Sequence, residues 1–118
     1  MSELHYSVFR YSPLITEGEK FSVVLGILFS SPSEHYCTFQ INEKLSYHNP
    51  CFYGIEEQCI TKLLYAIKGE VEEAHPEQFD IEEYIRFYIN DFCFDKVKTA
   101  PLETVDAVVR NICKSHFE

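Results

Sequence analysis

Polar and apolar side chains alternate along residues 4–11, LHYSVFRY. In an extended chain one face would carry Leu4, Tyr6, Val8 and Arg10, and the other would carry His5, Ser7, Phe9 and Tyr11. Large side chains occupy both faces. The pattern therefore predicts a β-strand that is at least partly covered on each side.

Residues 20–30, KFSVVLGILFS, form an almost unbroken apolar run without helix-capping residues. Such a run predicts a central strand that is buried on both faces of a sheet. Gly26 in its middle indicates a β-bulge or a close backbone approach. A phosphate-binding loop would need further glycines and a GK[ST] motif, which this stretch lacks. The run is also too short to cross a bilayer.

Two further stretches are typical of strands. Residues 35–42, HYCTFQIN, alternate after a turn at residues 30–34 and predict a third strand. Short connections between the first three strands indicate an antiparallel meander. Residues 93–99, CFDKVKT, predict a fourth strand, in which Phe94 and Val97 do not follow a strict alternation.

The second half of the chain changes to a helical period of three and four residues. A first helix is predicted to begin near Ile55, with Gly69 weakening its end. Asp80 and Glu83 resemble a capping box for a second helix. Its apolar stripe consists of Ile81, Tyr84, Ile85, Tyr88, Ile89 and Phe92. Pro101 is predicted to open a last helix, whose apolar side consists of Val105, Val108, Val109, Ile112 and His116.

These elements predict an α+β fold in which an antiparallel meander of three to four strands packs against two or three helices. The length of 118 residues indicates one domain over 1–118.

The chain carries 19 acidic residues against 10 basic ones, a net charge of −9. Such a field repels nucleic-acid phosphates and anionic lipid, so direct nucleic-acid binding and membrane association are not expected. It would favour a protein partner with a basic surface.

Five cysteines occur, none in C-x-x-C spacing, and the first ten residues do not resemble a signal peptide. Both features favour a reducing, cytoplasmic location. The histidines are scattered, so neither a metal site nor a cofactor is expected.

Two polar groupings are candidates for chemistry. Arg10 lies within an aromatic strand, either stacked on a ring as an edge-strand residue or contacting an anion or carboxylate, with Glu19 as its neighbour. His48 and Cys51 share a loop and could form a nucleophile pair. Most carboxylates fall on helix ends and exposed faces, and no catalytic residue is assigned.

Residues 6–29, YSVFRYSPLITEGEKFSVVLGILF, resemble the opening motif of the bacterial domain-of-unknown-function family 3037. The matching positions are Tyr6, Ser7, Arg10, Tyr11, Pro13, Gly18, Glu19, Leu28 and Phe29. Ser22 replaces the motif's asparagine, and its glycine is displaced to Gly26.

The resemblance implies a small cytoplasmic bacterial protein, and it would make Arg10 and Glu19 functional residues. Some members are associated with neighbours resembling HipA-type kinases. This association suggests a protein partner in a toxin–antitoxin or defence setting.

Three functions follow as hypotheses. The first is a non-enzymatic interaction module that uses acidic helical faces or a free sheet edge. The second is a small hydrolase or transferase that uses Arg10, Glu19 or the His48–Cys51 loop. The third is an acidic inhibitor that mimics nucleic acid. Edge-strand pairing would also permit a homodimer.

Overall fold

The computed structural model describes residues 3–11, 23–43, 57–88, 92–101 and 105–117. Their strands are β1 (Glu3–Tyr11), β2 (Val23–Ser31), β3 (Tyr36–Ile41), β4 (Phe92–Phe94) and β5 (Lys98–Pro101). Their helices are α1 (Glu57–Glu73), α2 (Ile81–Ile85) and α3 (Val105–His116), and a short 3-10 turn spans Pro32–Glu34. The predicted α+β class is confirmed.

All five strands form one antiparallel sheet in the order β3-β2-β1-β4, with β5 also paired to β1. The first three strands make the predicted meander. β1 is central, because β2 lies on one side of it and β4 and β5 share the other. The expectation that Arg10 lies on an edge strand is therefore wrong.

The predicted fourth strand is present as two short segments, β4 and β5. Phe94 lies opposite Phe9, and Lys98 lies opposite Tyr6. Three steps along β1 thus correspond to four steps along the outer strand, so one extra residue is accommodated between β4 and β5. In a regular strand, residues three apart face opposite sides of the sheet. The bulge explains why Phe94 and Val97 instead pack on the same side.

Gly26 meets both expectations for it. The register between β1 and β2 shifts at this point, because Phe9 lies opposite Gly26 whereas Arg10 lies opposite Val24. A Cβ atom on Gly26 would also lie 2.5 Å from Phe39 Cζ and 2.8 Å from the main-chain oxygen of Gln40. The glycine therefore marks a bulge and permits a close approach between β2 and β3.

Helices cover both faces of the sheet, as the two-sided burial of β1 and β2 predicts. One core lies between the sheet and the helices α1 and α2, and its fully buried side chains include Phe9, Leu25, Phe39, Leu64 and Ile67. A second core lies between the opposite face and α3, where Leu4, Val8, Ile27, Phe29 and Val109 are buried. The result is a helix–sheet–helix arrangement.

α1 spans Glu57–Glu73 and includes Gly69 near its end. Two helical boundaries differ from the sequence expectations. α2 ends at Ile85 and so does not extend along the predicted stripe to Phe92. Tyr88 lies outside the helix and packs on Phe9, and Phe92 belongs to the sheet. Pro101 ends β5 and does not open α3, which begins at Val105.

Candidate functional site

Arg10 makes an ion pair whose partner the sequence did not reveal. Its Nε donates to Asp95 Oδ2 at 2.6 Å, and the side chains are 29% and 33% exposed. Asp95 lies in the bulge between β4 and β5, where its N–H donates to the Val8 carbonyl at 2.8 Å. The buried Ser7 hydroxyl donates to the Asp95 carbonyl at 2.5 Å. The main chain thus holds the carboxylate at a fixed place beside Arg10.

His116 of α3 lies close to this ion pair. Its ring centroid is 6.3 Å from that of Tyr6. Burial lowers the pKa of His116 from 6.5, and the positive charges of Lys98 and Arg10 lower it further, whereas Asp95 acts in the opposite direction. Arg10, Asp95 and His116 therefore bring together β1, the outer strand and the end of α3. The lowered pKa favours the neutral form of the His116 imidazole.

The other predicted site residues lie outside the described residues. Glu19 belongs to residues 12–22, and His48 and Cys51 belong to residues 44–56. Asp95 was missed because it is 85 residues from Arg10 along the chain. The one available signal was a carboxylate inside a stretch that otherwise reads as a strand.

Two half-buried thiols are unsuited to nucleophilic chemistry. Burial raises the pKa of Cys113 to about 11. Burial, followed by the charge of Glu72, also raises the pKa of Cys37, whose thiol donates to the Val71 carbonyl at 3.1 Å. Both groups therefore stay protonated near neutral pH. Within the described ranges, no group of three or more histidine, cysteine or acidic side chains is arranged to hold a metal ion.

The most concentrated charge lies in residues 70–83, which join α1 to α2 and are called the acidic turn below. Their sequence contains neither lysine nor arginine. Their exposed carboxylates belong to Glu70, Glu72, Glu73, Glu77, Asp80, Glu82 and Glu83. Because all seven belong to one short segment, they concentrate a large part of the net charge in one region of the surface.

Three contacts fix the acidic turn in place. The Tyr84 hydroxyl donates to Glu70 Oε2 at 2.9 Å, and Nδ1 of His35 lies 2.6 Å from Glu77 Oε1. The Asp80 side chain accepts from the Glu83 N–H at 3.2 Å and caps α2, as the sequence predicts. Burial, with hydrogen bonds to Tyr88 and Glu70, raises the pKa of Tyr84 above its usual range, so the hydroxyl remains a donor.

A groove of about 340 Å³ runs between this turn and the sheet, and it is called the acidic groove below. Glu77, Asp80 and Glu82 line it together with an apolar group consisting of Phe79, Ile81 and Val97. A lysine or arginine side chain matches such a lining, because its methylene stem packs on apolar atoms while its charge meets carboxylates. The groove can therefore bind a basic side chain.

In the described part of the chain, no helix has the length and apolar character needed to span a membrane. Comparisons with protein-family models, with curated proteins and with solved structures found no match for this chain. The resemblance to family 3037 therefore stays a prediction.

Proposed function

We propose that this chain is a non-enzymatic protein-interaction module whose acidic groove binds a basic segment of a partner protein. The observation that carries the proposal is the acidic groove itself, where three carboxylates border an apolar surface. Each of these carboxyl-bearing residues is exposed, so a partner can reach it.

The fixed geometry of the acidic turn supports binding to a defined partner. The Tyr84–Glu70 contact joins its two ends and the His35–Glu77 contact holds its middle, so less conformational freedom is lost when a partner binds. The net charge of −9 would also steer a basic protein towards the chain. The resemblance to family 3037 adds a cytoplasmic, toxin–antitoxin or defence setting to this proposal.

The test is affinity capture from lysate of the native host with the wild-type chain and the variant Glu77→Lys/Glu82→Lys. We expect the wild-type chain to retain one stoichiometric protein with a basic surface, identified by mass spectrometry. The double variant should lose it, because the groove then repels the basic segment. Asp106→Lys is the control, since Asp106 is exposed on α3 across the sheet.

Retention of the same partner by the double variant, or recovery of no stoichiometric protein, would contradict the proposal. The inhibitor that mimics nucleic acid remains an alternative, for which duplex DNA should displace the captured partner. The hydrolase or transferase alternative uses either Arg10 and Glu19 or the His48–Cys51 loop, so Arg10→Gln or Cys51→Ser should abolish turnover while leaving capture unchanged.

A further inference from the structure

A second groove lies on the opposite face of the sheet, between the edge strand β3 and the end of α3. Its volume is about 530 Å³. Its lining includes Ile41, Glu43, Arg110, Cys113, Lys114 and Phe117. It shares no residue with the acidic groove. It is called the β3–α3 groove below.

The charge of the β3–α3 groove is opposite to that of the whole chain. Arg110 and Lys114 are four residues apart, so they project from the same side of α3. Both are exposed, and neither makes an ion pair with any residue that the structure describes. Glu43 supplies the one carboxylate in the described lining. Two cations without an ion-pair partner among the described residues, in a chain of net charge −9, favour an anionic ligand.

The remaining lining is apolar. Phe117 provides hydrophobic surface, and the Cys113 thiol is neutral because burial raises its pKa to about 11. A fully hydrated inorganic anion would gain nothing from such a surface. A ligand that combines apolar groups with carboxylates would use both parts of the groove.

The edge of β3 adds main-chain hydrogen-bonding groups. The Asn42 N–H donates to the Leu25 carbonyl at 2.9 Å, so the alternate residues Gln40 and Asn42 face β2. The N–H and carbonyl of Ile41 therefore point away from β2. Within the described ranges no further strand pairs with β3 on this side. The Phe39 carbonyl on the same edge accepts from Lys68 Nζ at 3.4 Å, so the main-chain groups offered to a ligand are those of Ile41. An extended peptide can hydrogen-bond there and place alternate side chains towards α3.

From this combination of charge, apolar surface and strand edge, we infer that the β3–α3 groove binds an extended acidic peptide segment. The peptide adds along the end of β3. Its main chain pairs with Ile41, its carboxylates meet Arg110 and Lys114, and its apolar side chains pack on Phe117. This site is independent of the acidic groove, so the chain can hold two partner segments of opposite charge on opposite faces of its sheet.

The experiment is a selection of phage-displayed random peptides on the full chain, with counter-selection on the variant Arg110→Glu/Lys114→Glu. We expect the selected peptides to be rich in aspartate and glutamate. Fluorescence anisotropy with the most enriched peptide should show a loss of affinity of at least about tenfold in this variant, because attraction becomes repulsion. Affinity should also fall as salt is added.

Lys62→Glu/Lys96→Glu is the matched control, because it makes the same change of net charge at two exposed positions outside the groove. Its affinity for the peptide should stay within about twofold of the wild-type value. Both variants change exposed residues, so both should fold, and circular dichroism is the check.

Two kinds of result would overturn the inference. The first kind concerns the peptide: either counter-selection yields no acidic enrichment, or wild type and Arg110→Glu/Lys114→Glu bind the peptide with equal affinity. The second is self-association in analytical ultracentrifugation that this variant abolishes, since the occupant would then be a second copy of the chain. The basic partner captured through the acidic groove should be retained by Arg110→Glu/Lys114→Glu, so failure of either proposal can be recognised separately.

Discussion

At the scale of single residues, Gly26 and His116 stand out in the sequence, but their roles depend on residues that are distant along the chain. Gly26 interrupts an apolar strand, and the close approach of Phe39 and Gln40 explains why no side chain fits there. His116 completes the apolar side of α3, and burial, together with the nearby charges of Lys98 and Arg10, lowers its pKa. Both effects can be measured by single substitutions.

Replacement of Gly26 by alanine should lower the free energy of unfolding by about 1–3 kcal/mol, because the new Cβ overlaps main-chain and aromatic atoms. Urea denaturation measures the change. Gly69→Ala is the matched control, since Gly69 lies within α1 and a Cβ at that position would meet no atom within 4 Å apart from the adjacent backbone of the helix. The control should gain about 0.5–1 kcal/mol from the higher helix propensity of alanine. A Gly26→Ala variant as stable as wild type would contradict the close approach.

His116 should make stability depend on pH below its unperturbed pKa of 6.5. Its pKa is lower in the folded chain, so the unfolded chain takes up the proton first as pH falls. The contribution of His116 is therefore present above 6.5 and is lost as pH falls through the folded-state pKa.

The measurement is the free energy of unfolding of wild type and His116→Gln at pH values from about 7.5 to about 5. The difference between wild type and variant should shift in favour of the variant as pH falls. A difference that stays constant over this range, or that shifts towards wild type, would show that folding does not lower the pKa of His116.

At the scale of elements, the sequence predicted secondary structure well where one periodicity continued without interruption. β1, β2, β3 and α3 follow their patterns to within a few residues. The predictions failed where distant packing intervened. Tyr84 and Tyr88 continue a helical spacing, yet Tyr88 lies outside the helix and packs edge-on against Phe9 and Phe94. An aromatic side chain can pack in the same core whether its backbone is helical or extended. The spacing of the tyrosines therefore could not locate the end of α2.

The packing of α1 on the sheet gives a prediction for neighbouring residues of one helix. Leu64 is 1% exposed, whereas Tyr65 is 61% exposed. Leu64→Ala should lower the free energy of unfolding by about 2–4 kcal/mol, because it leaves a cavity between α1 and β3. Tyr65→Ala should change it by no more than about 0.5 kcal/mol. Similar losses in the two variants, measured by chemical denaturation, would show that α1 does not pack by this face.

At the scale of the whole molecule, the fold separates charges that the sequence presents as one overall excess. The acidic turn lies with α1 and α2 on one face of the sheet, whereas Arg110 and Lys114 border a groove at α3 on the other. Composition predicts a preference for basic partners, which stays a prediction, but it could not indicate that two cations border one groove. The ion pair between Arg10 and Asp95 likewise depends on the pairing of β1 with the outer strand.

The net charge of −9 should make the folded chain more stable when salt is added. Screening weakens the repulsion among carboxylates that folding brings together in the acidic turn. The urea midpoint should therefore rise between about 0.02 M and about 0.5 M sodium chloride. Glu73→Lys, which reduces the net negative charge, should show a smaller rise. A midpoint that falls with salt would mean that attractive pairs such as Arg10–Asp95 outweigh this repulsion.

The sequence by itself determined the α+β class, the first three strands, the bulge at Gly26, the Asp80 cap and the two-sided burial of the sheet. Each of these depends on residues close together in the chain, where backbone geometry imposes a period of two or of about 3.6 residues. Only the tertiary structure decided that Asp95 meets Arg10, that β4 and β5 share one edge of β1, and that two grooves of opposite charge lie on opposite faces. These features join residues far apart in the chain, and their proximity arises from how the helices and the sheet pack together.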